Sequence, residues 1–242
     1  FPVTTPASLR RAGWLTRLGR WSPQADDVLG KVEEAHAPQA DGMTALHWAA
    51  RHDDHATAKA LLAAKANPKA ENRYGITPLS LACTNGSAAM ITLLLDAGAD
   101  VNAALRSGET PLMTAARTGK IDAVKPLLAR GATVNAKLPS GQTALMWAIA
   151  EGHTSVVDAL LAVGADFRTP LTSGFTPMLF AVRGGHTDIV RAMLKAGVDV
   201  NEPAQPPRNI NKFLRKGASA LTTAVENGHF ELAALLLDLG AD

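Results

Sequence analysis

Apolar residues recur along the chain at helical spacing, in short runs that each end near a glycine. Within residues 140–167 the runs are Leu145, Ala148 and Ile149, then Val156, Val157, Leu160 and Leu161. Gly152 follows the first run and Gly164 follows the second. Glycine ends helices readily because it adopts positive φ without a Cβ clash. The pattern therefore predicts two short helices separated by a tight break.

The same pattern returns with a period of 33 residues. The frame Thr-(Ala/Pro)-Leu or a close variant begins at Thr44, Thr77, Thr110, Thr143, Thr176 and Ser219. The first five starts are evenly spaced, and the last interval contains ten extra residues. A lone helix pair cannot bury both of its faces, so we expect the copies to stack. The frame Thr is a predicted N-cap, and the Pro that follows three of these Thr residues suits the first helical position.

Several stretches resemble ankyrin repeats: "DGMTALHWAA", "GITPLSLA", "LLLDAGADVN" and "GHTDIVRAMLKAGVDVN". The resemblance implies an all-α ankyrin-repeat solenoid, in which stacked helix-turn-helix pairs carry projecting β-hairpin loops. It covers residues 41–242, with about six repeats and an insertion at 202–216. Residues 1–40 match poorly, and we expect a divergent N-terminal capping segment there. The alternative for that segment is a basic amphipathic helix that contacts membranes or acidic partners.

Composition and charge exclude only a few classes of partner and of function. A formal net charge of +2 gives no strong attraction to nucleic acid or membranes, so we expect neither as a specific partner. The single cysteine, Cys83, excludes an internal disulfide. The chain begins with Phe1 and not Met, which predicts a processed product or a fragment. Cytoplasmic and exported locations therefore both stay open.

Two copies depart from the shared frame. Asp53 and Lys65 occupy glycine positions in the first repeat, which predicts that this repeat is the least stable or is locally rearranged. Pro126 falls inside a predicted second helix, where it removes one hydrogen bond or bends the helix slightly.

Candidate chemistry is sparse. His47, His52 and His55 cluster with two aspartates, and a metal-dependent or hydrolytic enzyme built on them is the alternative function. Their spacing matches no common zinc motif, and no nucleophile or phosphate-binding motif occurs. We expect a structural His47, a buried Cys83, no cofactor, and loop-tying roles for His153, His186 and His229.

The resemblance implies a non-enzymatic scaffold that binds another protein of unknown identity. Its concave side would consist of first-helix faces and hairpin tips. The candidate contacts on the first helices are Trp48, Arg51, His52, Leu81, Arg117, Trp147, Phe180 and Arg183. Those on the hairpins are Arg73, Tyr74, Ile76, Arg106, Glu109, Leu138 and Phe175. Simple packing of the aromatic residues between repeats is the alternative.

The insertion offers a further candidate surface. It is stiffened by prolines and carries Arg208, Lys212, Phe213 and Arg215, which would suit a binding finger. A neutral insertion is the alternative. We expect a monomer, and a structural subunit of a larger assembly is a further alternative.

Overall fold

The computed structural model describes residues 39–204 and 217–242, and within them it contains twelve α-helices and no strand. The first helices of the six repeats are α1 (Ala45–Arg51), α3 (Pro78–Asn85), α5 (Pro111–Thr118), α7 (Ala144–Ala150), α9 (Pro177–Arg183) and α11 (Ala220–Glu226). The second helices are α2 (His55–Ala63), α4 (Ala88–Asp96), α6 (Ile121–Ala129), α8 (Thr154–Ala162), α10 (Thr187–Lys195) and α12 (Phe230–Asp238). The predicted all-α solenoid is confirmed. The predicted cap, apart from Gln39 and Ala40, and insertion residues 205–216 lie outside the described residues.

The frame residues cap the first helices as predicted. The side chains of Thr77, Thr110, Thr143, Thr176 and Ser219 each accept a hydrogen bond from the backbone N–H three residues later. This satisfies one of the N–H groups that a helix start leaves without a partner. Pro78, Pro111 and Pro177 occupy the first turn, where the missing N–H costs nothing.

Two helix ends in the first repeat are made without glycine. Asp53 has φ 56° and Lys65 has φ 63°, and they are the positive-φ residues other than glycine in the described part of the chain. The first repeat therefore keeps the common backbone path at a cost in strain, and the expected local rearrangement is absent from its described residues.

Stacking joins the repeats into one continuous core. The principal helix contacts lie within a repeat or between first helices of neighbouring repeats, and second helices of the first five repeats pack likewise. Leu112, Leu127, Leu145 and Leu160 are almost completely buried in this core. Each contributes about 1.5–3 kcal/mol through removal of its apolar surface from water. Stability therefore comes from neighbour-to-neighbour packing.

The loops that project between repeats are tight turns. The amide N–H of Leu138 donates to the Gln142 carbonyl at 2.9 Å, and that of Gly141 donates to the Leu138 carbonyl at 2.8 Å. The same two bonds recur in the loops beginning at Gln39, Asn72, Leu105 and Leu171. These hairpins are closed by backbone bonds without regular strands among the described residues, which differs from the predicted β-hairpins.

Pro126 lies inside α6, as predicted. The helix nevertheless runs on to Ala129, and the amide N–H of Arg130 donates to the Pro126 carbonyl at 3.1 Å. The proline therefore removes a donor without ending the helix.

Candidate functional site

One row of equivalent first-helix positions lines the candidate groove, and we call it the aromatic row. It comprises Trp48, Leu81, Thr114, Trp147, Phe180 and Thr223. The two threonines are buried, and the other four side chains are half-buried. Leu81, Trp147 and Phe180 also pack against the core. The row therefore combines packing against the core with partly exposed surface.

A second row lies three residues further along each first helix, and we call it the charged row. It comprises Arg51, Thr84, Arg117, Ala150, Arg183 and Glu226, all of them exposed. Three arginines at equivalent positions give this row its positive character along most of the stack.

Arg117 and Trp147 form the best-organised contact of the groove. The guanidinium carbon of Arg117 lies 5.4 Å from the centre of the Trp147 ring, across the junction between the third and fourth repeats. Glu109 holds the guanidinium with an Oε1 to Nη2 distance of 3.3 Å, and the same oxygen accepts from the Thr114 hydroxyl at 2.9 Å. Glu109 thus positions Arg117, and its own side chain is only 18 % exposed.

Sequence reasoning placed Glu109 on the hairpin as a direct contact and left Thr114 out of the candidate contacts. The signal for Thr114 was present but weak. It occupies an aromatic-row position, where a hydroxyl needs a hydrogen-bond partner once it is buried.

The first repeat contributes a stacked pair. The rings of Trp48 and His52 are 5.9 Å apart at 12°, so His52 covers one face of the indole. Trp48 and Trp147 stand three repeats apart, and the buried Nε1 atom of each lacks an acceptor among the described residues. Both rings therefore offer the groove mainly their apolar surface.

The hairpin tips add cationic and aromatic surface. Arg73, Tyr74 and Arg106 are exposed, and the Arg73 guanidinium lies 5.1 Å from the centre of the Tyr74 ring. Leu138 is half-buried. Ile76 is half-buried too, and its carbonyl accepts from His47 Nε2 at 2.9 Å.

The prediction that Phe175 is a surface contact is wrong. Its side chain is 7 % exposed and packs with Leu179 and Ala204 in a small separate cluster, beside Phe180 at 5.2 Å between ring centres. Arg183 covers it, with the guanidinium 5.6 Å from the ring centre. Phe175 therefore supports Phe180 and Arg183, which keep exposed surface.

The three histidines of the first repeat do not converge on a metal site. Both ring nitrogens of His47 are occupied, Nδ1 by the Thr44 hydroxyl at 2.8 Å and Nε2 by the Ile76 carbonyl. Burial lowers the pKa of His47 below its usual value, which keeps the ring neutral. His52 stacks on Trp48, and His55 Nε2 lies 3.6 Å from Asp53. No group of three or more metal-binding side chains occurs among residues 39–204 and 217–242.

The predicted loop-tying role is confirmed for two of three histidines. The Nε2 atom of His153 lies 3.0 Å from the Arg117 carbonyl, and that of His229 lies 3.0 Å from the Arg183 carbonyl. The ring of His186 packs on Gly152, as the rings of His153 and His229 pack on Gly119 and Gly185, but it makes no hydrogen bond to the described residues.

Cys83 is fully buried among apolar side chains, as predicted, and burial raises the pKa of its thiol. A nucleophilic cysteine needs a lowered pKa and access to solvent, so this thiol fits a packing role.

Exposed large apolar side chains are concentrated in the last helix pair of the described residues. Val225 is 49 % exposed, Leu237 is 56 % exposed and Phe230 is 69 % exposed.

None of the helices in the described segments has the length and apolar character that a membrane crossing needs.

The comparisons agree with this architecture. A family model described as "Ankyrin repeats (3 copies)" matches residues 26–105, 103–170 and 164–242. The crystal structure of the human ASB11 ankyrin repeat domain superimposes with a TM-score of 0.71 at 26 % identity. That match covers 83 % of this chain and 85 % of the other. No curated protein sequence matches the chain significantly.

Proposed function

Because the chain belongs to the ankyrin repeat family, we propose that it is a non-enzymatic scaffold that binds a protein partner on its concave groove and hairpin tips. Ankyrin repeats are generally protein–protein interaction modules, and their fold is typically non-enzymatic. The scaffold would act as a monomer without a cofactor. Nucleic acid is not a specific partner in this proposal, since the net charge is only +2.

The pre-arranged pair of Arg117 and Trp147 is the observation that carries the proposal. Trp and Arg dominate the energetics of protein interfaces. Here both side chains are held before any partner arrives, the arginine by Glu109 and the indole by the core. Binding to such a surface loses little side-chain entropy, so more of the contact energy appears as affinity.

The charge of the groove favours an acidic partner with aromatic or apolar anchors. Arg51, Arg73 and Arg106 are exposed and form no ion pair with the described residues. A carboxylate of the partner can therefore pair with them without displacing an existing partner. Such exposed pairs are screened by salt, so we expect association to weaken as ionic strength rises.

The test compares partner capture by the unmodified chain and by a variant with Arg117→Ala and Trp147→Ala together. Once the captured protein is identified by mass spectrometry, its Kd for each chain is measured by calorimetry. We expect the double substitution to raise the Kd at least about 30-fold, which corresponds to the ~2 kcal/mol of an interface hot spot.

The matched control is Arg191→Ala, which removes an exposed arginine from α10, on a second helix. Its Kd should equal that of the unmodified chain, and circular dichroism melts confirm that all variants stay folded. An unchanged Kd for a folded double variant would contradict the proposed binding surface.

A further inference from the structure

At three of the five junctions between repeats, an asparagine side chain forms two hydrogen bonds to the backbone of the next repeat. We call this arrangement the asparagine clamp. Between repeats 2 and 3, the Asn102 side-chain amide donates to the Gly131 carbonyl at 3.3 Å and accepts from the Thr133 N–H at 2.8 Å. Asn135 makes the equivalent pair of bonds to Gly164 and Asp166, and Asn201 makes it to Gly240 and Asp242. One side chain thus satisfies a donor and an acceptor of the next repeat.

A second kind of fastening joins the ends of first helices. The Asn85 amide donates to the Arg51 carbonyl at 2.8 Å, and the Lys120 ammonium donates to the Asn85 carbonyl at 2.8 Å. His153 and His229 make the corresponding contacts to the third and fifth repeats. Four of the five junctions have such a bond.

The junction between repeats 1 and 2 has no clamp but is well fastened otherwise. Lys69 stands where the clamp asparagine would stand. The bonds from His47 to the Ile76 carbonyl, from Asn85 to the Arg51 carbonyl, and from the Arg73 N–H to the Asp41 carbonyl compensate for it.

The junction between repeats 4 and 5 lacks both kinds of fastening. Arg168 replaces the clamp asparagine, and its guanidinium lies over the Phe167 ring of its own loop. His186, the counterpart of His153 and His229, makes no hydrogen bond to the described residues. The N–H and hydroxyl of Thr172 reach the Ser140 carbonyl at 3.5 and 3.2 Å. Outside these hairpin tips, no hydrogen bond or ion pair joins the two repeats in the described part of the chain.

We propose that the junction between repeats 4 and 5 is a hinge, at which the last two repeats bend and open as a unit. In a linear stack, each repeat depends on its neighbours, so separation begins where the coupling between neighbours is weakest. At this junction apolar packing continues without the polar bonds that fix orientation elsewhere. The hairpin tips, joined by Thr172, would form the pivot.

The hinge has a consequence for the groove, and this point rests on the proposed function. Trp147 lies on the last repeat before the hinge and Phe180 on the first repeat after it. Bending would change the separation of these two side chains while Trp48, Arg117 and Trp147 keep their spacing. A partner that contacts both sides would thus select one hinge angle.

Hydrogen–deuterium exchange of the full chain, followed by mass spectrometry, tests the hinge without any partner. We expect an abrupt drop in protection between α8 and α9, with α9 and α10 exchanging as fast as α11 and α12. Simple fraying from the end would instead give a gradual decline from α9 to α12. Equal protection of α7–α8 and α9–α10 would overturn the proposal.

Arg168→Asn supplies the missing clamp. The Arg168 N–H donates to Asp166 Oδ1 at 3.0 Å, as the N–H of Asn102 donates to Asp100 and that of Asn201 to Asp199 at 2.9 Å. The backbone is therefore already set for the clamp, with the Gly197 carbonyl and Asp199 N–H at the matching positions. We expect the exchange rates of α9–α12 to fall about tenfold and the step to disappear.

Lys69→Asn is the matched control, because it exchanges a basic residue for asparagine at the same position of a junction that is already fastened. The Lys69 N–H also donates to a side-chain oxygen two residues earlier, at 2.9 Å. This variant should leave α9–α12 unchanged. Failure of Arg168→Asn to protect α9–α12, or equal protection by Lys69→Asn, would overturn the hinge but leave the groove proposal standing.

Discussion

Two residues of the first repeat hold backbone conformations that glycine holds at the same positions elsewhere. Lys65 is the more costly of them, since a long side chain in the left-handed region meets the backbone, whereas the short polar side chain of Asp53 tolerates it better. The strain belongs to single residues, because α1 and α2 are as long as α7 and α8, the helices of the fourth repeat. Because of this strain, we expect that single substitutions in the first repeat can stabilise the protein more readily than substitutions in the other five.

Lys65→Gly should stabilise the protein. Relief of the left-handed strain, about 1–2 kcal/mol, outweighs the roughly 0.5–1 kcal/mol of added chain entropy in the unfolded state. We expect the free energy of unfolding, measured by urea titration, to rise by about 0.5–1 kcal/mol.

Ala64→Gly is the control for that substitution. Ala64 has φ −80°, so glycine there relieves no strain and should lower the free energy of unfolding by about 0.5–1 kcal/mol. A loss of stability in both variants would show that Lys65 is not strained.

At the scale of the element, each helix pair is defined by a cap at its start and a turn at its end. Thr143 caps α7, whose apolar face then packs on both neighbouring first helices. The sequence alone predicted the helix pairs, the caps and the turns, because these depend on residues close together in the chain. The tight loops without strands were not predictable in the same way, since their shape depends on how neighbouring repeats approach each other.

Pro126→Ala should strengthen α6. The substitution gives back an N–H that can donate to the Asp122 carbonyl one turn earlier, and removes the ring from the helix interior. Pro is roughly 3 kcal/mol less favourable than Ala inside a helix, and the lost rigidity of the unfolded chain and lost packing offset part of this. We expect a gain of about 1–2 kcal/mol in the free energy of unfolding by urea titration.

Ala129→Pro in the last turn of the same helix serves as the control and should cost stability, because it removes a helical N–H. If Pro126→Ala proves neutral or destabilising in a folded protein, the packing of the proline ring outweighs the missing bond.

At the scale of the whole molecule, the stack is a chain of nearest-neighbour couplings that differ from junction to junction. The period of 33 predicted that the repeats stack, but the individual couplings depend on single side chains such as Arg168 and His186. The candidate groove could likewise be predicted from the sequence only in part. Its rows followed from the repeat phase, whereas the burial of Phe175 and the positioning role of Glu109 follow from contacts across loops. Sequence phase therefore gives the architecture, and side-chain contacts decide which residues of the candidate groove stay exposed.

Cys83 is fully buried in the second repeat, so the reactivity of its thiol can be used to measure opening of the core. Iodoacetamide can reach this sulfur only when the surrounding core opens, so the alkylation rate in native buffer measures how often this part of the core opens. We expect labelling that is far slower than amide exchange in the last two repeats, and unaffected by Arg168→Asn. Alkylation as fast as that of an unfolded chain would mean that the interior beneath the second repeat is open to solvent.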